Sequence, residues 1–315
     1  CTTAGSGLAV ALLVRAALVG PKGQLGPSWG IVKIADGDHP CWDSSSSKIY
    51  YDKSVDGVYR LFRCDENGAN VEDLSALITG LPAGGPHVGN PAVSPNGTFL
   101  IVQAEQAGHA GPWNHILCTP GAGLYNDLYY VDIATWVATK LTSVGLTTPA
   151  GGSLHAKISK AGTQVLWTNR QGSAGEFGNQ QLKRGTINAG PPPSISDITT
   201  WDTLPVGTWQ ETNDWWNDDL SILITATSVA TGSDYSMDIC KVVLTDPTTL
   251  IRLTQTSGVG AEPGYWDEHA KISPDGAVVS YISSNPVEIV DEADLAAELW
   301  LMDADGSNQR QVTFF

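Results

Sequence analysis

The chain is short of charge, and above all of positive charge. Only 16% of its 315 residues are charged, and 17 Lys and Arg oppose 33 Asp and Glu, for a formal net charge of −16. Phosphate backbones need Lys and Arg for neutralisation, and no basic run is present, so the sequence argues against a nucleic-acid partner. An acidic, Lys-poor chain rich in Thr and Asn is typical of exported proteins, and we expect an extracellular, cell-surface or periplasmic location.

Several motifs are also missing. None of the five cysteines forms a CxxC or CxxCH motif, which excludes the usual zinc and c-type haem signatures. No GxSxG elbow and no Walker loop occur, which argues against a serine peptidase and a P-loop enzyme. The apolar stretch from Leu8 to Val19 is 12 residues long and contains Arg15, whereas a membrane span needs about 20 residues. We expect that stretch to form buried strands or to pack on a partner.

The cysteines permit one or two disulfides in an oxidising compartment. We expect Cys41 to pair with Cys64, because both lie in one repeat of the chain. Cys1 precedes a stretch of small residues and resembles the start of a mature bacterial lipoprotein, whose first residue carries a lipid. Membrane contact is therefore expected only through a lipid on Cys1, unless the sequence simply begins there.

What the sequence does contain is glycine, proline and a repeat. Its 34 Gly and 18 Pro suit many short strands joined by tight turns. The segments His155-Ala-Lys-Ile-Ser and His269-Ala-Lys-Ile-Ser match closely, and three weaker copies begin at His39, Asn90 and Asn213. These five head residues are 51 to 65 residues apart, a little longer than common propeller blades.

Each repeat predicts four strands. Pro95-Asn96-Gly97 and Pro274-Asp275-Gly276 are turn signals, because Pro presets φ and Gly accepts the positive φ that follows. A second strand–turn–strand unit follows, most clearly at 298–313 with its Asp-Ala-Asp-Gly turn. Four strands per repeat predict an all-β fold, a β-propeller of four-stranded blades with five recognisable repeats.

The last repeat carries a family resemblance. Ser-Pro-Asp-Gly at 273–276, Leu-Trp-Leu-Met-Asp-Ala-Asp-Gly-Ser-Asn at 299–308 and a closing Gln-Val-Thr resemble the β-propeller repeat of TolB and its relatives. The resemblance implies a propeller over residues 30–315, with an N-terminal extension at 1–29. Because TolB-like propellers have six blades, residues 1–35 are expected to add a partial sixth blade, to close the ring or to dock on a neighbouring subunit.

The repeat also predicts a ring of polar residues. The first strand of each blade lines the channel of a propeller, so the heads His39, Asn90, His155, Asn213 and His269 should meet near the axis, with Asp267 and Glu268 close by. Imidazole with carboxylate oxygens suits a divalent metal, so His39, His155 and His269 are the candidate metal ligands. The alternative, which we favour, is that these groups bond neighbouring backbone and channel water. The remaining histidines, His87, His109 and His115, fall in or beside Gly- and Pro-rich loops and should be solvated.

Three functions remain open. The first is an exported, non-catalytic module that binds a protein or assembles with itself. The second is a metal-dependent polysaccharide lyase or hydrolase, because the run 266–270 is similar to the metal sites of oligogalacturonate lyases; its partner would be carbohydrate. The third is a subunit of an extracellular filament, suggested by the apolar N-terminal segment. The sequence favours a role that is not enzymatic. Long insertions are expected at 104–124 and 170–197.

Overall fold

The computed structural model describes residues 34–109, 115–147, 151–171, 179–201, 210–227, 237–255, 267–284 and 297–313. Within these ranges the chain forms twenty β-strands and one short 3₁₀ helix, Ile116–Cys118. The strands make five separate sheets, each built from four consecutive antiparallel strands that pair in chain order. This is the predicted architecture of five four-stranded propeller blades.

The blades are numbered I to V along the chain. Blade I contains β1 (Asp38–Asp43), β2 (Lys48–Val55), β3 (Val58–Asp65) and β4 (Glu72–Asp73). Blade II contains β5 (Val88–Val93), β6 (Phe99–Glu105), β7 (Asn126–Asp132) and β8 (Val137–Lys140). Blade III contains β9 (Gly151–Ile158), β10 (Gln164–Gln171), β11 (Asn179–Asn188) and β12 (Ser194–Trp201). Blade IV contains β13 (Gln210–Trp215), β14 (Ser221–Thr227), β15 (Met237–Val243) and β16 (Asp246–Arg252). Blade V contains β17 (Asp267–Ile272), β18 (Val278–Ser283), β19 (Glu298–Asp303) and β20 (Arg310–Gln311).

The turns between first and second strands form as their residues predict. Gly97 and Gly276 have φ of 67° and 75°, values that glycine adopts without steric cost. The serine that opens each motif completes the turn. The Ser273 Oγ accepts the Val278 N–H at 2.9 Å, and the Ser94 Oγ accepts the Phe99 N–H at 3.0 Å. The Ser-Pro-Asn/Asp-Gly motif is therefore a structural signal for the innermost hairpin.

Alternating side chains on the two faces of each blade build a core between neighbouring blades. Four clusters fill the spaces between I and II, II and III, III and IV, and IV and V. Trp167 lies in the second of these cores and Trp215 in the third, and both are buried. Each blade is therefore stabilised mainly by burial against the next one.

The two ends of the array differ from its middle. The first strands β5, β9, β13 and β17 each pack against the first strand of the preceding blade, whereas β17 and β1 have no comparable contact among the described residues. The outer face of blade I, with Ile49, Tyr51 and Cys64, is instead covered in part by Ile34 and Ala35. The predicted partial sixth blade, the extension at 1–29 with its filament role, and Cys1 all lie outside the described residues.

Two expectations are wrong. Cys41 and Cys64 are both free thiols, as are Cys118 and Cys240. Cys41 lies on β1 and Cys64 on β3, with β2 between them, so about 9.5 Å separates strands that a disulfide must bring within about 7 Å. Half of the segment expected as an insertion at 170–197 belongs to β11 and the start of β12, the outer strands of blade III. No helix in the described part of the chain is long and apolar enough to span a bilayer.

Candidate functional site: a polar ring in the central channel

Every first strand contains a β-bulge at its head residue. Between Asp38 and Cys41, β1 uses one residue more than its partner β2, and the first strands of the other four blades shift register at the equivalent point. Four of the five heads adopt the left-handed region, with φ of 45° at His39, 49° at Asn90 and 54° at both His155 and His269. Asn and His are among the few non-glycine residues enriched there. The backbone conformation therefore gives one reason why His and Asn occupy this position.

The bulges bring the three head histidines together. The ring centroid of His39 lies 5.7 Å from that of His155 and 6.1 Å from that of His269, and the third separation is 6.4 Å. These separations fall within the range of about 4.5–7 Å for aromatic rings in contact. The imidazoles of blades I, III and V therefore lie in contact with one another.

Side chains on second strands join one blade to the next. The Asp52 Oδ2 accepts the Asn90 N–H at 2.6 Å, and the Gln103 Oε1 accepts the His155 N–H at 3.3 Å. In the same way, the Thr168 Oγ1 accepts the N–H of Thr212 at 3.0 Å, and Thr212 directly precedes Asn213, the head of blade IV. Each bond runs from β2, β6 or β10 to the first strand of the following blade. The bulged backbone of the ring is thus a joint between blades.

Carboxylates hold the imidazoles. The Nδ1 of His39 lies 2.9 Å from the Oδ2 of Asp52, and the Nδ1 of His155 contacts a carboxylate oxygen of Glu211. Burial lowers the pKa of His155, although the charge of Glu211 opposes that shift. Burial lowers the pKa of His39, but the charge of Asp52, its hydrogen bond and the charge of Asp38 together raise the pKa above its usual value. Burial opposes ionisation of Glu211, yet His155 followed by His269 brings the pKa of that carboxyl down to about 2. The Nε2 of His269 lies 3.3 Å from Glu268, which places that predicted neighbour in the site.

A second tier lies two residues beyond the heads. Cys41, Lys157 and Lys271 occupy this position in blades I, III and V. Burial and then the charge of Lys271 lower the pKa of Lys157 to about 7. The Lys271 Nζ donates to the Asn213 carbonyl at 3.1 Å, and the Trp215 indole N–H donates to the Lys157 carbonyl at 2.8 Å. Two of the chain's few cations therefore meet in the channel of an acidic protein.

Some polar atoms of the ring have no protein partner. They are the Asn90 Nδ2, the Asn213 Oδ1 and the His155 Nε2, in residues that are 2%, 2% and 3% exposed. A buried polar group without a hydrogen bond costs about 1–3 kcal/mol. The ring therefore offers a donor, an acceptor and an imidazole nitrogen to one small polar ligand, ion or water.

The ring contains residue types that bind metals, but its three imidazoles do not bring their nitrogens close enough together for a metal site. A carboxylate on one imidazole nitrogen leaves the other nitrogen for a metal, as at many metal-bound histidines, and His39 and His155 are both held so. The three heads do not, however, bring one nitrogen each within 4.8 Å of one another. Among the described residues, the set of three ligand atoms that does so is Glu105, His109 and Cys118.

Other predicted residues lie elsewhere. Asp267 is buried beside Tyr281 and Cys240, and its charge adds to the burial that raises the pKa of both. His87 is 1% exposed and the side chain of His109 is 2% exposed, so the expectation that both are solvated is wrong. His115 is half-buried, and its Nδ1 accepts the Leu117 N–H at 3.2 Å at the start of the 3₁₀ helix.

Sequence reasoning missed Asp52 and Glu211. Asp52 follows the apolar residues Ile49-Tyr-Tyr on a second strand, and a lone carboxylate in such a run is the signal that would have found it. Glu211 stands two residues before its head, as Asp267 does in blade V, and that shared acidic position is the signal that would have found it.

Solved structures resemble this geometry at the level of the fold. A structure described as putative TolB from Agrobacterium tumefaciens is 16% identical with a TM-score of 0.58, over 90% of this chain and 82% of that one. The chain has a TolB-like β-propeller fold. TolB from Acinetobacter baumannii is 18% identical with a TM-score of 0.54, and 85% of this chain covers 51% of it, about half its length. A chain of a nidogen/laminin complex is 9% identical with a TM-score of 0.52, over 89% and 80% of the two chains. No family model and no curated protein matches the sequence.

Proposed function

We propose that the protein is a non-catalytic binding or assembly module with a protein partner, exported to the cell envelope or beyond. The observation that carries this proposal is the use of the polar ring. Its backbone N–H groups donate the bonds that join blades, its imidazoles contact carboxylates, and its three imidazole centroids lie within 6.4 Å of one another. Because the polar groups of the channel bond to one another and to the neighbouring blades, we place recognition of a partner on the outer surfaces of the blades. The exported location rests on the acidic, Lys-poor composition, and the free thiols add nothing to it.

A cleft between blades I and II suits a protein partner. It has a volume of about 490 Å³ and includes Arg60, Asp73, Ile78 and Leu81 in its lining. Leu77, beside this lining, is 42% exposed. Mixed polar and apolar lining with an exposed aliphatic residue at its border is typical of surfaces that bind extended segments. Because the chain carries a net charge of −16, a basic segment with apolar anchors fits best.

A peptide-display selection against the purified protein tests this proposal. Selected peptides should be basic and apolar, and their affinity, measured by calorimetry, should fall at least tenfold in Leu77→Asp. The matched control is Ile251→Asp, because Ile251 is 43% exposed on β16 of blade IV; it should bind as the wild type does. Failure to select any peptide, together with an unchanging monomer mass in sedimentation, would overturn the proposal, as would equal loss of affinity in both variants.

A second candidate is a metal-dependent polysaccharide lyase or hydrolase. The specific observation in its favour is the pair of carboxylate-held imidazoles, His39 with Asp52 and His155 with Glu211. The centre of the triangle of imidazoles lies about 3.5 Å from each centroid, a space for one ion held by ring nitrogens at about 2.0–2.1 Å. Small rotations of the imidazoles are required, and His269, whose side chain is 41% exposed, has the freedom to rotate.

Scission of polyuronides with added Ca²⁺, Mn²⁺ or Zn²⁺ separates the two candidates. Metal-dependent scission that disappears in His155→Ala and His269→Ala, but not in Ile251→Asp, would establish an enzyme and contradict the proposal of a non-catalytic binding module. We expect no scission above the buffer rate under any of these conditions.

A further inference from the structure

A second cluster of chemically reactive side chains lies away from the channel, where blade II leads into a long loop. Glu105 is the last residue of β6, His109 follows four residues later, and Cys118 ends the 3₁₀ helix Ile116–Cys118. The side chains of Glu105 and His109 are 0% and 2% exposed, and Cys118 is 1% exposed. Three groups with metal-ligating atoms are thus enclosed side by side in the interior of the protein.

The three side chains converge on one point. The His109 Nε2 lies 3.0 Å from the Glu105 Oε1, and one ligand atom from each of the three residues lies within 4.8 Å of the other two. The ligand atoms of a zinc site with bonds of about 2.0–2.3 Å are about 3.3–3.7 Å apart. Movements of about 1 Å therefore convert this cluster into a coordination site.

The surrounding structure holds the His109 ring, the Cys118 backbone and the Glu105 carboxylate, whose Oε2 accepts the His87 N–H at 3.2 Å. The His109 imidazole is stacked on the Tyr125 ring, with centroids 4.5 Å apart and planes 10° from parallel. The Cys118 N–H donates to the His115 carbonyl at 2.8 Å, and the Cys118 carbonyl accepts the Asn126 Nδ2 at 2.8 Å. Pre-positioned ligands lose little conformational entropy when an ion binds.

We propose that Glu105, His109 and Cys118 bind one Zn²⁺ ion. Thiolate sulfur, imidazole nitrogen and carboxylate oxygen are the three donor types of protein zinc sites, and a water completes the tetrahedron. Soft sulfur disfavours Ca²⁺ and Mg²⁺, which prefer oxygen ligands alone. Binding converts the Cys118 thiol to a thiolate, and its proton leaves to solvent. The site ties the loop after β6 to its own strand, so it is a structural clamp.

Burial distinguishes this site from a cysteine–histidine nucleophile. With exposures of 0–2%, none of the three side chains reaches a substrate. Burial, and then the charge of Glu105, raise the pKa of the Cys118 thiol to about 12, and the charge of the buried Arg170, which donates to the Ala122 carbonyl at 2.6 Å, offsets only part of this. Without metal, the same residues form a hydrogen-bonded cluster only, and that alternative is one outcome of the test.

The test titrates chelator-treated protein with Zn²⁺, and with Co²⁺ as a coloured substitute. We expect one equivalent of Zn²⁺, a thiolate-to-cobalt charge-transfer band with tetrahedral d–d bands, and a rise in melting temperature on adding Zn²⁺. In Cys118→Ser and His109→Gln, affinity for Zn²⁺ should fall at least 100-fold and the charge-transfer band should disappear or weaken. Cys240→Ser is the matched control, because Cys240 is also a free thiol at 1% exposure; it should bind as the wild type does.

Three results would overturn the proposal. They are the absence of stoichiometric Zn²⁺ in the wild type, retention of Zn²⁺ by Cys118→Ser, and loss of Zn²⁺ in the channel variant His155→Gln with Cys118→Ser unaffected. If Cys118→Ser fails to fold, the cobalt spectrum of the wild type decides, because a spectrum without a sulfur band excludes Cys118 as a ligand.

Discussion

Removal of the Asp52 carboxylate is the sharpest perturbation of the joint between blades. Asp52 is 0% exposed and accepts two hydrogen bonds, from the Nδ1 of His39 at 2.9 Å and from the Asn90 N–H at 2.6 Å. Asp52→Ala leaves both donors buried without a partner. Breaking a buried charged pair by removal of one member costs about 3–5 kcal/mol, so the free energy of unfolding should fall by that amount at pH 6.

Equilibrium unfolding in urea, followed by tryptophan fluorescence, measures the loss. With a slope of about 3 kcal/mol per M, the midpoint should fall by about 1–1.7 M. The control is Lys53→Ala, because Lys53 is the exposed neighbour of Asp52 on β2, and an exposed substitution of this kind changes stability by less than about 0.5 kcal/mol.

The pH dependence gives a second check on the same variant. Asp52 raises the pKa of His39 in the folded state above its unfolded value, despite burial. A raised pKa contributes stability that is present below the unfolded pKa and is lost as pH rises through the folded pKa. The penalty of Asp52→Ala should therefore shrink as pH rises through the raised pKa of His39, because the imidazole loses its charge there. A loss of stability no larger than that of Lys53→Ala would refute the claim that Asp52 joins the blades. A loss that grows with pH would refute the claim that Asp52 stabilises the protonated form of His39.

Three further variants and labels test other parts of the channel. Burial and the charge of Lys271 lower the pKa of Lys157 to about 7, so its reaction with an amine-directed reagent, followed by mass spectrometry, should have a pH midpoint near 7. Lys271→Met should raise that midpoint. A midpoint near that of surface lysines would contradict this prediction. Gly89→Ala places a Cβ against the Asp52 carboxylate and 2.6 Å from the Pro120 Cγ, so stability should fall by about 1–3 kcal/mol; a neutral effect would show that the joint is loose. Trp215→Phe removes the indole N–H that bonds the Lys157 carbonyl and should cost about 1–3 kcal/mol in urea, and an unchanged midpoint would contradict that bond.

The sequence predicted the fold where local signals and repeats agree. Gly97 and Gly276 mark tight turns with positive φ, and both turns form as predicted. The alignment of repeats placed His39, His155 and His269 at one level, and the structure brings their rings within 6.4 Å. These predictions succeed because a repeat fixes the same register in every blade.

Contacts between segments distant in sequence escaped prediction. Asp52 bonds Asn90 across 38 positions, and no periodic signal marks that pairing. His109 is buried because a loop folds back over Tyr125, whereas its Gly-rich neighbourhood suggested solvent. Cys41 and Cys64 share a repeat, but the strand between them keeps their thiols apart. In each case the determining distance depends on tertiary packing.

Hydrogen exchange of the head amides tests the central claim most directly, that the ring joins the blades. In the wild type, the amides of Asn90, His155 and Thr212 should exchange as slowly as amides in the middle of the strands, because each donates to a side chain of the preceding blade. In Asp52→Ala, exchange at Asn90 should accelerate at least tenfold more than at His155 and Thr212. Rapid exchange at all three amides in the wild type, or equal acceleration at all three in the variant, would contradict the account.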